Sequence, residues 1–207
     1  MELIDFHTHH PSLAGERVIQ DGIDTRGRHP WHLTPSPSQR GDETHMEKNG
    51  GRLLAIGESG LDKICDTPYE LQLQVFREEV ALSENLRLPL FLHCVRAIDD
   101  VLRIRQELHA QQPCIWHGYR GNAQQIKQLL SIIGENRGGL FYFSFGIRYN
   151  EQALLTCPLD RMLLETDEDT LHPIANHYAK VAHLRGITLN SLINQMHTNF
   201  FTLFGNN

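Results

Sequence analysis

The sequence has little cysteine and spaces it widely. Cys65, Cys94, Cys114 and Cys157 form no CxxC pair, which argues against a structural zinc ribbon or a thioredoxin-like redox motif. Cys94 and Cys114 fall in apolar runs and read as buried, reduced thiols. Long apolar runs are also missing, since none approaches the ~18 residues of a membrane span. The N-terminus has neither the basic region nor the long apolar stretch of a signal peptide. No membrane partner is therefore expected, and the cytoplasm is the expected compartment. There is no internal repeat and no low-complexity tract. Basic excess is absent as well. A net charge of −6 argues against a general, sequence-blind grip on duplex nucleic acid, while leaving room for a local basic pocket.

What the sequence does have is histidine, thirteen of them in 207 residues, with 40% apolar and 21% charged residues around them. That balance suits a soluble globular chain, and the length suits one domain over residues 1–207. The Pro-, Ser-, Gly- and charge-rich stretch from Thr34 to Gly51 reads as a long loop.

From Leu53 onward, short apolar runs alternate with helical segments. The runs are Leu53–Ile56, Leu90–Leu92, Cys114–Trp116, Leu140–Phe145 and Met162–Leu164. Near-continuous apolar runs of this length suit parallel strands buried on both faces. Thr67-Pro68-Tyr69-Glu70 has the pattern of a capping box with proline at the first helical position. Tyr69, Leu73, Phe76 and Val80 then share one helical face, and the helix should stop before Pro89. A second helix uses Ile98, Val101, Leu102 and Leu108. A third starts at an Asn122 cap, buries Ile126, Leu129, Leu130 and Ile133, and stops at Gly134. Two more run near Ile174–Arg185 and Leu189–Phe204, the latter capped by Thr188. Such alternation predicts an α/β fold with a parallel sheet, open or closed into a barrel.

The residues at the ends of the runs decide between these. Leu3-Ile4 leads into His7 and His9, Leu53–Ile56 into Glu58, Leu90–Leu92 into His93, Cys114–Trp116 into His117, and Met162–Leu164 into Asp167. In a barrel the C-terminal strand ends converge on one face, whereas an open sheet spreads them apart. His7 and His9 are two residues apart, so both imidazoles leave a strand on the same side. Two carboxylates and four imidazoles exceed the needs of one tetrahedral zinc. They suit two divalent ions with a trapped water. Ligation by nitrogen and oxygen without thiolate fits Zn²⁺, Mn²⁺ or Fe²⁺; Mg²⁺, which normally wants more oxygens, is a weaker fit. His45, His109, His177, His183 and His197 follow no such run, and no function is assigned to them.

The segments LIDFHTHH, AIGESGLDK, PLFLHCVRAIDD, IWHGYRG, PLDRMLLETDED and NFFTLFG resemble the TatD-related family of metal-dependent hydrolases. The resemblance implies a TIM-like (β/α) barrel and phosphodiester hydrolysis with two divalent metal ions (Zn, Mn or Mg), often as a deoxyribonuclease, with DNA or a smaller phosphodiester as substrate. It implies that His7, His9 and Asp167 hold one ion, that Glu58 bridges, and that His93 and His117 hold the second. Asp167 would orient the attacking water and take its proton, with Glu58 as the other catalytic carboxylate. RHPWH resembles the family's third-strand segment, which places His29 facing the substrate.

Four features depart from the family pattern. Only nineteen residues separate His9 from His29, so a strand–helix–strand unit barely fits. ERVIQDGI reads as one strand, and the barrel is expected to be shortened or distorted near its first strand–helix unit. Val95 stands where the family tends to carry arginine, with Arg96 one position later. Arg120 replaces a small hydroxyl residue. Glu168-Asp169-Thr170 replaces an apolar turn. Arg26, Arg28, Arg96, Arg120 and Arg148 all flank strand ends, where guanidinium groups suit phosphate or carboxylate; Arg96 and Arg120 are the substrate-binding candidates. The extra carboxylates favour an alternative, an amide or ester hydrolase acting on a small molecule. The shortened start favours another, a catalytically reduced metal-binding homologue.

Overall fold

The computed structural model describes residues 2–34, 53–133 and 140–205. Every strand ladder in it is parallel. β1 (Leu3–Thr8) pairs with β2 (Glu16–Gln20). A second set runs in spatial order β3 (Thr25–Arg26), β4 (Ala55–Asp62), β5 (Leu90–Val95), β6 (Cys114–Trp116), β7 (Phe141–Phe145) and β8 (Met162–Leu164). A lone parallel bridge between Thr8 and Asp167 joins β1 to the end of β8. The strands therefore follow one another as in a TIM-like barrel, linked at β1 and β8. Among the described residues, no ladder joins β2 to β3.

The expected distortion lies where the sequence is short. Residues 9–15 carry the chain from β1 to the parallel β2 without a helix, and ERVIQ forms β2. A tight turn follows. Gln20 carbonyl accepts from the Ile23 and Asp24 amides, Asp24 Oδ2 accepts from the Gln20 amide at 2.9 Å, and Asp21 Oδ1 accepts from Thr25 Oγ1 at 2.8 Å. Helices follow the later strands: α1 (Tyr69–Leu86), α2 (Ile98–Glu107), α3 (Ala123–Ile133), α4 (Glu151–Thr156), α5 (Ile174–Arg185) and α6 (Leu189–Phe204).

The apolar runs behave as buried strands. Leu90–Leu92, Cys114–Trp116, Phe141–Phe145 and Met162–Leu164 are all buried. α5 and α6 pack on β1 and β8. There Phe6 meets Phe200 at 6.3 Å between ring centroids. The Tyr178 hydroxyl donates to the Ile4 carbonyl at 2.7 Å and accepts from its amide at 3.3 Å. All four cysteines are free. No described helix is long and apolar enough to cross a membrane.

Several local expectations hold and others are corrected. Asn122 Oδ1 accepts from the Gln125 amide at the start of α3, and Thr188 Oγ1 accepts from the Ser191 amide at the start of α6. Gly186 ends α5 in the left-handed conformation. The capping box at Thr67 does not form. Pro68 is the N-cap of α1, without a side-chain hydrogen bond, and the Thr67 carbonyl is taken by Gln72 Nε2 at 2.9 Å. β4 runs on past Ile56 to Asp62, so Glu58 lies inside a strand instead of beyond it. Gly60 makes this continuation feasible, because a Cβ there would sit 1.8 Å from the His93 carbonyl oxygen. The loop expected from Thr34 to Gly51 lies beyond Thr34 outside the described residues, as do His45, the Ile133 side chain and the Gly134 stop.

Candidate metal centre and active site

Asp5 and His7 alternate to one side of β1, and His9 follows just past the strand's end. Asp5 is buried and secures the neighbouring chain. Its Oδ1 accepts from the Thr166 amide at 3.0 Å and its Oδ2 from Thr166 Oγ1 at 2.6 Å. The Asp167 amide donates to the His7 carbonyl at 2.9 Å, and the His9 amide donates to the Asp167 carbonyl at 3.2 Å. Asp167 itself takes a left-handed φ of 59°, which turns the chain end toward β1.

The six expected ligands meet. His7 Nε2 lies against Glu58 Oε1. His9 Nε2 is 3.6 Å from Glu58 Oε1 and 3.5 Å from Asp167 Oδ1. His117 Nε2 is 3.4 Å from Glu58 Oε2 and 3.3 Å from His93 Nδ1. One ligand atom each from His7, His9, Glu58 and Asp167 fall within 4.8 Å of one another, and so do those of His29, Glu58 and His93. Glu58 belongs to both groups.

These residues fit divalent cations on a structural criterion. His7 Nε2 and Glu58 Oε1 are buried and in contact, yet neither has a hydrogen bond of acceptable geometry; His7 Nδ1 and His117 Nδ1 also lack one. Buried polar atoms are ordinarily satisfied. The set is all nitrogen and carboxylate oxygen, the chemistry of zinc- or manganese-type sites.

Charge in the metal-free cluster balances internally. Burial works against a proton on His7, but Glu58, Glu165 and Asp167 outweigh it and push the imidazole up to about 9. Hydrogen bonding to Asp167 and Glu58 pushes His9 up to about 10. Burial opposes ionisation of Glu58, and the surrounding imidazoles overcome it, holding the carboxyl far below its usual range. Asp167 is lowered in the same way, against burial, by His9, His117 and His7. Burial lowers His93, and it lowers His117 to about 4. Two imidazolium groups thus face two carboxylates, and arriving cations would displace those protons.

His29 joins the cluster from an unexpected direction. Its Nε2 is 3.1 Å from Glu58 Oε2 and 3.2 Å from His93 Nδ1. Its Nδ1 accepts from the Trp31 amide at 3.2 Å, capping a 3-10 turn at Pro30–His32. A neutral imidazole that accepts at Nδ1 carries its proton on Nε2. His29 therefore presents an N–H to the site, which suits a donor to a substrate oxygen better than a ligand.

Three supporting residues were not expected from the sequence, and Asp5 is the first. Asp62 is the second: its Oδ2 accepts from Trp31 Nε1 at 2.7 Å and from His93 Nε2 at 3.2 Å, and its Oδ1 accepts from the Ile64 amide at 2.9 Å. This leaves the His93 Nδ1 lone pair facing the cluster. Glu165 is the third. Fully buried, its Oε1 accepts from the Gly118 amide and lies 3.9 Å from His117 Nδ1, and burial pushes the carboxyl up to about 8. The period-two patterns Asp5-x-His7-x-His9 and Glu58-x-Gly60-x-Asp62 were the available signals.

A cavity of about 260 Å³ adjoins Asp167 at the ends of β6, β7 and β8. Its walls include Arg120, Arg148, Glu165, Glu168 and Asp169. Arg120 and Arg148 are exposed at its rim. Arg96 is exposed after β5 and does not line it. Arg26 is exposed on β3. Arg28 leaves the expected basic cluster, because it pairs with Glu79 at 2.6 Å and Glu78 at 2.9 Å on α1.

Comparison with known proteins gives the chain's relatives and its family. An uncharacterized metal-dependent hydrolase, YabD, of Bacillus subtilis is 32% identical over 131 residues, covering 59% of this chain and 49% of that protein. A protein named 3'-5' ssDNA/RNA exonuclease TatD from Pectobacterium parmentieri is 30% identical over 179 residues, covering 80% of this chain and 65% of that one. The chain thus spans about half to two thirds of these relatives' lengths. The crystal structure of a hydrolase TatD family protein from Entamoeba histolytica superposes with a TM-score of 0.71 at 20% identity, over 94% of this chain and 77% of that one, which shows the shared fold. The profile of the family described as TatD related DNase matches residues 7–205, and this chain belongs to that family.

Proposed function

We propose that the protein is a metal-dependent phosphodiesterase acting on nucleic acid, with two divalent ions and a deoxyribonuclease activity. One observation carries this reading: six nitrogen and carboxylate ligands, spread from His7 to Asp167, converge around Glu58. His7, His9, Glu58 and Asp167 would hold one ion, and Glu58, His93 and His117 the second. Bound ions of this kind supply a water of lowered pKa and polarise phosphoryl oxygens.

The chain's own residues do the rest. Asp167 is partly exposed, its side chain retaining 30% of its accessible surface, and stands where water and substrate enter; its carboxylate takes the proton of the attacking water. His29 offers its Nε2–H to a phosphate or leaving oxygen. Arg120 and Arg148 at the cavity rim attract the substrate's anionic groups. Asp5 and Asp62 hold β1, Asp167 and His93 in place. Support for a nucleic-acid substrate comes from the relative bearing an exonuclease name and from the description of the family as TatD related DNase.

The test is incubation of metal-loaded protein with end-labelled single-stranded DNA. Cleavage with Mn²⁺, Mg²⁺ or Zn²⁺ that Asp167→Asn abolishes while still taking up metal supports the proposal. A second reading rests on Glu168 and Asp169 in the wall of the cavity, where they repel a polyanion. On that reading the protein hydrolyses small esters or amides, and turnover of those beside intact DNA would establish it. Equal inertness of wild type and Asp167→Asn toward every substrate would favour a metal-binding protein without catalysis.

A further inference from the structure

Trp31 is 56% exposed at the edge of the metal centre, yet it is held from two sides. Its backbone amide donates to His29 Nδ1 at 3.2 Å, and its indole Nε1 donates to Asp62 Oδ2 at 2.7 Å. Its ring centroid lies 5.0 Å from that of His29 and 5.6 Å from that of His93, with interplanar angles of 87° and 76°. A single apolar side chain on a surface needs no explanation. This one differs because its polar edge is tied to the carboxylate that orients His93, so the exposed part of the ring keeps a constant position beside the cluster.

A rigid aromatic surface loses little conformational freedom when a flat group settles on it. His29 and His93 separate Trp31 from Glu58 by one ring's width, and in a nucleotide only the sugar separates the phosphate from its base. We propose that Trp31 is a stacking platform for the nucleobase attached to the phosphate engaged by His29. The inference rests on the phosphodiester reading and sharpens it: the substrate carries a base next to the reacting phosphate. Stacking on an indole tolerates every base, since each has a π-face, so recognition at this position is insensitive to base identity.

The two tryptophans make the test direct, because Trp116 is buried at 7% exposure while Trp31 is open. Deoxyadenosine monophosphate should quench the indole fluorescence of the wild-type protein, deoxyribose 5-phosphate should not, and Trp31→Phe should remove the quenching. Trp31→Ala should weaken binding of the nucleotide by about five- to hundredfold, with much less effect on the sugar phosphate. Trp31→Phe, which keeps a ring but loses the bond to Asp62, should retain most of the preference for the base. If Trp31→Ala weakens nucleotide and sugar phosphate equally, the residue acts only by bracing Asp62 and the platform is refuted. Quenching by nucleotide in a protein that cleaves no DNA would uphold the platform and refute the nuclease reading. DNA cleavage with an unchanged KM in Trp31→Ala would do the reverse.

Discussion

Asp62→Asn isolates the contribution of a residue outside the proposed ligand set. Three N–H groups point at the Asp62 carboxylate: Trp31 Nε1 and His93 Nε2 on Oδ2, and the Ile64 amide on Oδ1. An amide has one oxygen, so in Asp62→Asn at least one of these donors meets an NH₂ group. If the oxygen stays toward Trp31 and His93, the part-buried Ile64 contact is lost, at about 0.5–1.5 kcal/mol. If it turns toward Ile64, the NH₂ faces His93 Nε2, which must give up its proton to accept. The proton then moves to Nδ1 and covers the lone pair that faces the cluster. The first route removes the carboxylate charge that makes His93 more basic and the second covers its lone pair, so either should weaken an ion held by His93 by about 10- to 100-fold, or roughly 1.4–2.8 kcal/mol. The fold should survive, because the Asp62 main chain keeps its own bonds to Gln72, with N–H to Oε1 at 2.8 Å and carbonyl to Nε2 at 3.1 Å. Calorimetric titration of metal-free protein with Zn²⁺ should show the first equivalent nearly unchanged and the second weakened. Both equivalents binding to Asp62→Asn with wild-type affinity would refute the reasoning.

Four further outcomes are expected. Tyr178→Phe removes the partner of the buried Ile4 amide and carbonyl and should cost about 1–2 kcal/mol, read as a lower urea midpoint at unchanged m. Gly60→Ala places a methyl group against the His93 carbonyl, so thermal unfolding should occur at lower temperature and metal uptake should fall with it. Arg28→Ala leaves Glu79 buried beside no guanidinium and should cost roughly 3 kcal/mol; the pair Arg28→Met/Glu79→Leu should recover most of that in chemical unfolding. Chelation of metal-loaded protein should lower Tm by roughly 5–10 °C, from about 2.7 kcal/mol of linkage at a hundredfold excess over Kd, and re-addition of the ion should restore it.

Much of the architecture was legible because it depends on local pattern. Apolar runs gave the later strands, α3 and α6 carry their own N-caps, and α5 and α6 end at glycine. The six clustered side chains were legible as candidates because each follows or ends an apolar run. What could not be read depends on contacts between distant positions. Asp5 and Thr166 are 161 residues apart, and nothing in ETD identifies Thr166 as the partner of a strand residue. Trp31 and Asp62 are 31 apart and meet only because β3 and β4 are neighbours. Arg28 had the sequence character of an anion-binding residue until the register of β3 set it over Glu79. Thr67 had the composition of a cap, but Gln72 took its carbonyl and used its own amide group to secure Asp62. Six-residue α4 was too short to show periodicity, although Asn150 caps it at 3.0 Å.

The bridge at Thr8 and Asp167 has a consequence for how the molecule assembles. The end of β1 and the segment just after β8 touch through the main-chain atoms of His7, Thr8, His9 and Asp167 themselves. Joining the end of β1 to the segment after β8 and bringing His7 and His9 to Asp167 are therefore a single event, whereas Glu58, His93 and His117, on or just after β4, β5 and β6, can gather before it. Exchange of the Thr166 and Asp167 amide hydrogens would time that event directly.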